Sequence, residues 1–120
     1  MSRLRILIVE DEILIAEDLR LSVQKMGHEV VGLAGDGLEA VQKALTTHPD
    51  VILMDVRLQG PMDGIEAARK IRSQADIPII YLTAHASALA SLEMDNRCTR
   101  LGKPFSPAQL EGAIKSIFGR

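Results

Sequence analysis

The sequence predicts an α/β fold, a doubly wound five-stranded parallel sheet forming one domain over residues 1–120, and three observations support this. First, short apolar runs alternate along the chain with segments whose apolar residues recur every three or four positions. Second, the short runs are almost continuously apolar, as in strands buried on both faces. Third, 120 residues, 47% of them hydrophobic, suit one compact domain. Because parallel strands need crossover segments, usually helices, the alternation indicates helices on both sides of the sheet.

The first strand is predicted at residues 4–9, where a β-branched apolar run stops abruptly at three acidic residues. A helix follows, because the next apolar side chains recur at spacings of three and four and Gly27 is a typical residue at a helix end. The predicted inner face of this helix consists of Ala16, Leu19, Val23 and Met26.

The second unit repeats this order of strand and helix. Residues 29–33 form the predicted strand, a turn with two glycines surrounds Asp36, and Pro49 ends the helix that follows. The predicted inner face of this helix consists of Leu38, Val41 and Leu45.

Three further strands are predicted in the rest of the chain, at residues 51–54, 77–82 and 98–101. A loop rich in glycine and proline follows the first of them, and Asp63 at its end is the expected N-cap of a helix. An alanine- and serine-rich helical stretch is predicted near residues 86–94. The inner faces of the other two helices are predicted to contain Ile65, Ala68 and Ile71, and then Leu110, Ala113, Ile114 and Ile117.

Composition excludes several classes of function. Fourteen basic and sixteen acidic residues give a net charge of −2, and no long basic run offers the surface that direct nucleic-acid binding needs. Cys98 is the only cysteine, so the chain alone forms neither a disulfide nor a cysteine metal cage, and we expect a cytoplasmic setting. The apolar run near the start is too short for a signal peptide or a membrane span, so no membrane insertion is expected.

Polar residues follow four of the predicted strands: Glu10 and Asp11 the first, Asp55 the third, Thr83 the fourth and Lys103 the fifth. In doubly wound folds, ligands bind at the carboxyl ends of the strands. Carboxylates gathered there would repel one another without a cation, and an all-oxygen ligand set favours Mg²⁺. We therefore predict a magnesium site.

The expected magnesium ligands are Asp11 and Asp55, with Glu10 binding directly or through water. A backbone carbonyl just after Asp55, that of Arg57, is the expected fourth protein ligand. We expect His28 and His48 to take no part in this site.

A carboxylate can also attack phosphorus if the charge on the transferred phosphoryl group is neutralised. The ammonium group of Lys103 supplies positive charge, and the hydroxyl of Thr83 can donate a hydrogen bond to a phosphoryl oxygen. The peptide bond between Lys103 and Pro104 is a candidate for the cis form.

Four motifs resemble the receiver domains of two-component response regulators: ILIVEDE at the first strand, VILMDVRLQGPMDGIE around Asp55, YLTA at the fourth strand and GKPF after the fifth. They cover essentially the whole chain in the family's order. The resemblance implies a flavodoxin-like (βα)5 fold with strand order 2-1-3-4-5. It also implies Asp55 as phosphoacceptor, Glu10 and Asp11 as the acidic pair, Thr83 as the switch hydroxyl and Lys103 as the phosphate-contacting lysine.

The resemblance further implies phosphorelay signal transduction, with a sensor histidine kinase or histidine phosphotransferase as the phosphoryl donor. The chain would then be no enzyme, apart from assisting its own phosphorylation and dephosphorylation, and its downstream target is unknown. Arg100 is a departure, because many family members carry Tyr or Phe three residues before the lysine.

The sequence leaves three alternatives to this interpretation. One is a Mg²⁺-dependent phosphohydrolase with an aspartyl nucleophile. Such an enzyme would usually carry a second acid two residues after the nucleophile, where this chain has Arg57. It would also usually carry a cap insertion, and this sequence has no insertion of useful size. A flavin- or nucleotide-binding module would need a phosphate loop rich in Gly or Ser/Thr after the first strand, where this chain is acidic. The third is a receiver domain excised from a larger response regulator or hybrid histidine kinase. Since Arg120 directly follows the last predicted helix, a stand-alone domain would act through protein contacts.

Overall fold

The computed structural model describes residues 3–84 and 97–118. Within these ranges the chain forms one five-stranded sheet in the order β2-β1-β3-β4-β5, and all neighbouring strands are parallel. The predicted fold class and strand order are confirmed. The strands are β1 (Arg5–Val9), β2 (Glu29–Ala34), β3 (Val51–Asp55), β4 (Ile79–Thr83) and β5 (Cys98–Gly102).

Helices cover both faces of this sheet. Side chains of two helices belong to one apolar cluster and those of the other two to a second cluster on the opposite face. The helical stretch predicted near residues 86–94 lies outside the described residues. The described helices are α1 (Ile13–Lys25), α2 (Gly37–Thr47), α3 (Gly64–Arg72) and α4 (Pro107–Ile117).

Alternation along the central strands explains why they are apolar throughout. Leu7 and Ile8 are neighbours in β1, yet Leu7 packs into the cluster with α2 and α3 and Ile8 into the cluster with α1 and α4. Ile52 and Leu53 of β3 divide in the same way, and all four side chains are fully buried. Because successive side chains point to opposite faces of a strand, a strand covered on both sides needs apolar residues at every position.

Asp63 caps α3 as predicted. Its carboxylate accepts a hydrogen bond of 2.9 Å from the backbone N–H of Glu66, and the Glu66 side chain accepts one of 3.2 Å from the N–H of Asp63. This reciprocal capping box satisfies two backbone donors at the helix start. It therefore fixes where α3 begins, directly after the loop that follows β3.

The predicted inner face of α2 is wrong at Leu38, whose side chain is 60% exposed. The buried face instead consists mainly of small residues, Gly37, Ala40 and Ala44, together with Val41. At about 100° per residue, Leu38 lies well away from this face. The prediction favoured the large apolar side chain, whereas the sheet is contacted through small ones.

Candidate functional site at the carboxyl edge of the sheet

Three carboxylates meet where β1 and β3 end. Glu10 and Asp11 directly follow β1, Asp55 is the last residue of β3, and these two strands are neighbours in the sheet. One carboxylate oxygen from each of the three residues lies within 4.8 Å of the others. The structure thus brings together the side chains that were predicted to bind a metal.

Two of the three carboxylates are largely shielded from water, and Asp11 is partly exposed. The Glu10 side chain is 1% exposed and the Asp55 side chain 8%. Burial is the main reason that the pKa of Glu10 is raised to about 7, and contacts with Asp11 and Asp55 raise it further, against the lowering effects of the Glu12 backbone N–H and Lys103. A buried acidic group of this kind favours a nearby cation.

Lys103 follows the edge strand β5 and reaches this cluster along the carboxyl edge of the sheet, past the end of β4. Its Nζ atom lies 3.4 Å from Oε1 of Glu10 and 3.4 Å from Oδ1 of Asp55. The backbone holds the lysine at this edge, because the Lys103 N–H donates a 2.8 Å hydrogen bond to the carbonyl of Thr83. The bond between Lys103 and Pro104 is cis, in agreement with the prediction.

Thr83 is the last residue of β4, the strand between β3 and β5, and is 5% exposed. It lines a cavity of about 370 Å³ together with Asp55 and Lys103. The predicted hydroxyl, carboxylate and ammonium groups therefore surround one space. The remaining lining residues are Asp11, Glu12, Arg57, Leu58, Gln59 and Ala84.

Backbone N–H groups orient the carboxylates. The N–H of Arg57 donates to Oδ1 of Asp55 at 3.2 Å, and that of Gln59 donates to Oδ2 of Asp11 at 3.3 Å. The N–H of Glu12 donates to Oε2 of Glu10 at 3.1 Å. Sequence analysis missed these contributions of Glu12 and Gln59, and no residue-type signal reveals them, since every residue except proline carries this donor.

Arg57 lines the cavity with its side chain exposed, and the use of its carbonyl as a ligand stays a prediction. Arg100, the residue that departs from the family pattern, is exposed on β5 and pairs with Tyr81 of β4.

The response regulator receiver domain family matches residues 6–115 of this chain. Among curated proteins, the transcriptional regulatory protein PdtaR of Mycobacterium tuberculosis is 42% identical over 118 residues, which cover 97% of this chain and 57% of PdtaR. The phyllosphere-induced regulator PhyR of Methylorubrum extorquens is 36% identical over 91% of this chain and 41% of PhyR. The chain thus spans about half the length of these relatives.

Solved structures agree with this match. The PhyR response regulator REC domain of Erythrobacter litoralis superposes with a TM-score of 0.87 at 28% identity, covering 99% of this chain and 92% of that one. The anti-anti-sigma factor PhyR of Bartonella quintana gives a TM-score of 0.86 at 33% identity, over 99% of this chain and 49% of that one.

Among the described residues, no helix has both the length and the apolar character needed to cross a membrane.

Proposed function

The chain belongs to the response regulator receiver domain family, and from this we propose that it takes part in phosphorelay signalling by accepting a phosphoryl group on the side chain of Asp55. The observation that carries the proposal is the placement of Lys103, whose Nζ atom lies 3.4 Å from Oδ1 of Asp55 beside a cluster of acidic residues. A positive charge at this point would stabilise the negative charge of a phosphoryl group attached to the carboxylate.

The residues present fit Mg²⁺ as the required cation. The carboxylates of Glu10, Asp11 and Asp55 offer only oxygen atoms, and these lie close enough to share one ion. We propose that Asp11 and Asp55 hold the metal with the Arg57 carbonyl, and that Glu10 binds directly or through water. Bound there, Mg²⁺ would neutralise charge on the oxygens of the transferred phosphoryl group.

In the proposed transfer, a carboxylate oxygen of Asp55 attacks the phosphorus of a phosphohistidine on the donor. The new O–P bond forms as the P–N bond breaks, and the bonding electrons return to the imidazole nitrogen. The ammonium of Lys103 balances the phosphoryl charge, and the hydroxyl of Thr83 donates a hydrogen bond to a phosphoryl oxygen. The buried position of Asp55 aids this step, because charges interact more strongly where water is excluded.

We propose a sensor histidine kinase or a histidine phosphotransferase as the donor, in the cytoplasm, and a protein as the downstream target. The chain itself would act as an enzyme only in its own phosphorylation and dephosphorylation. The curated relatives named as regulators are about twice as long as this chain. The same site would therefore also serve if this chain were the receiver domain of a larger regulator.

Intact mass after incubation with acetyl phosphate tests this proposal. The wild-type protein should gain the mass of one phosphoryl group with Mg²⁺ present and should gain none with EDTA. Asp55→Asn should gain none in either condition, while Asp18→Asn, which changes an exposed aspartate on α1, should behave like the wild type. Equal phosphorylation of wild type and Asp55→Asn would refute the proposed phosphoacceptor.

A further inference from the structure

Gly64, the first residue of α3, lies against the backbone of Asp55. A Cβ atom added to Gly64 would stand 2.0 Å from the carbonyl oxygen of Asp55, 2.9 Å from its carbonyl carbon and 2.9 Å from Cα of Val56. Distances below 3.0 Å are essentially absent from real Cβ contacts, and backbone atoms cannot rotate out of the way as a flexible side chain can. Any side chain at residue 64 would therefore displace either α3 or the end of β3.

Space, rather than backbone conformation, is what requires glycine here. Among the described glycines, Gly27 and Gly60 have positive φ values, and Gly64 does not. Alanine at residue 64 would thus meet no conformational penalty of the left-handed kind. The obstacle is the close approach to the backbone of Asp55 and Val56.

The backbone of Val56, the residue directly after Asp55, is held from both sides. The Val56 N–H donates a 3.0 Å hydrogen bond to the carbonyl of Leu82 in β4. The Val56 carbonyl accepts a 3.0 Å hydrogen bond from the N–H of Gly64. A displacement at Gly64 would therefore disturb the last rung between β3 and β4 and move the Cα from which the Asp55 carboxylate extends.

We infer that Gly64 is a positioning residue for the phosphoacceptor: by lacking a side chain, it lets the start of α3 press against the Asp55 peptide and sets the distance between the Asp55 carboxylate and Lys103. This inference rests on the proposed function of Asp55. The relevant length scale is small, since a misplacement of about 1 Å costs roughly a hundredfold in rate at well-oriented sites.

The test is the variant Gly64→Ala, with acetyl phosphate and saturating Mg²⁺. The rate of phosphorylation per folded molecule should fall by about tenfold to a hundredfold. In amide hydrogen exchange, the Val56 N–H should lose protection more than the amides of β1 do. A merely structural role would lower the melting temperature and leave the rate per folded molecule unchanged.

Two matched controls separate these outcomes. Gly112→Ala adds a methyl group to α4, where nothing lies within 4 Å, and should leave the rate unchanged. In Gly37→Ala the added Cβ would lie 2.6 Å from the carbonyl oxygen of Met62, and its three nearest atoms all belong to Met62. This variant should lower stability with little effect on the rate. An equally slow Gly37→Ala protein would overturn the inference, because any clash at this edge would then suffice.

The remaining outcomes are also decisive. A wild-type protein that accepts no phosphoryl group refutes the proposed function, whereas a phosphorylated wild type with an equally fast Gly64→Ala refutes only the role of Gly64. If Gly64→Ala is unfolded at room temperature, the rates are measured in the cold with trimethylamine N-oxide, which favours compact states. A chain that stays unfolded there overturns the inference, because the clash would not be confined to the phosphoacceptor.

Discussion

The ammonium nitrogen of Lys103 lies 3.4 Å from a carboxylate oxygen of Asp55, although Asp55 ends β3, Lys103 follows β5, and β4 separates these two strands in the sheet. The same nitrogen lies 3.4 Å from Glu10. One lysine therefore balances charge in a pocket where three carboxylates gather. The proposed chemistry depends on this arrangement.

Replacement of Lys103 should separate metal binding from phosphorylation. In Lys103→Met, phosphorylation by acetyl phosphate should slow by about a hundredfold or more, because a charge aimed at the transferred group is lost. Mg²⁺ should bind at least as tightly as in the wild type, since a competing cation has been removed. Lys70→Met, an exposed lysine on α3, is the control. Unchanged phosphorylation of Lys103→Met would contradict the role given to this lysine.

Two adjacent acids should differ in their importance for Mg²⁺ binding. Asp11→Asn should weaken Mg²⁺ affinity by about tenfold or more in calorimetric titration, because a proposed ligand loses its charge. Glu12→Gln removes the same charge one residue later, but Glu12 contacts Glu10 through its backbone N–H, which the variant keeps. Its effect should therefore be small. Equal losses in the two variants would indicate a general charge effect rather than a metal site.

His28, which lies outside the candidate site, should contribute a loss of stability on mild acidification. His28 is 6% exposed, and its Nδ1 atom accepts a 3.1 Å hydrogen bond from the N–H of Leu4. Burial lowers its pKa below the usual 6.5, so on acidification the unfolded chain takes up a proton before the folded one does. The His28 contribution is thus complete well above pH 6.5 and is lost progressively as the pH falls below it.

Urea unfolding followed by circular dichroism near pH 7.5 and pH 5.5 measures this effect. The acidification should change the free energy of unfolding less favourably in the wild type than in His28→Gln, which cannot titrate at this position. Glu10, whose raised pKa favours the folded state on acidification, is present in both proteins and cancels in this comparison. His48→Asn is the control, because His48 is exposed and asparagine tolerates its positive φ of 47°. If the free energy of unfolding changes equally with pH in His28→Gln and the wild type, the assignment to His28 is wrong.

Sequence reasoning was most successful where one physical rule governs many residues. Strands such as β1 and β3 are buried on both faces, and this requirement leaves a continuous apolar run that is visible without any structure. Because parallel strands end at the same edge of a sheet, Asp55 and Lys103 were also expected to meet.

Other features depend on distances that no pattern of residue types encodes. The buried face of α2 is formed mostly by small residues, so the prediction that Leu38 faces the sheet is wrong. His28 lies outside the candidate site, but its burial and the hydrogen bond that it accepts from the N–H of Leu4 could not be predicted from residue types. The approach of Gly64 to Asp55 likewise emerges only once α3 has packed beside β3.

Chemical trapping of the phosphorylated residue tests the central claim most directly. An acyl phosphate on aspartate is reduced by borohydride to homoserine, which is identified at a single position by peptide mass spectrometry. After incubation with acetyl phosphate and Mg²⁺, followed by borohydride, we predict homoserine at residue 55 and an unmodified Asp11. Homoserine at another position, or a phosphoryl group that survives reduction on serine or threonine, would contradict the account.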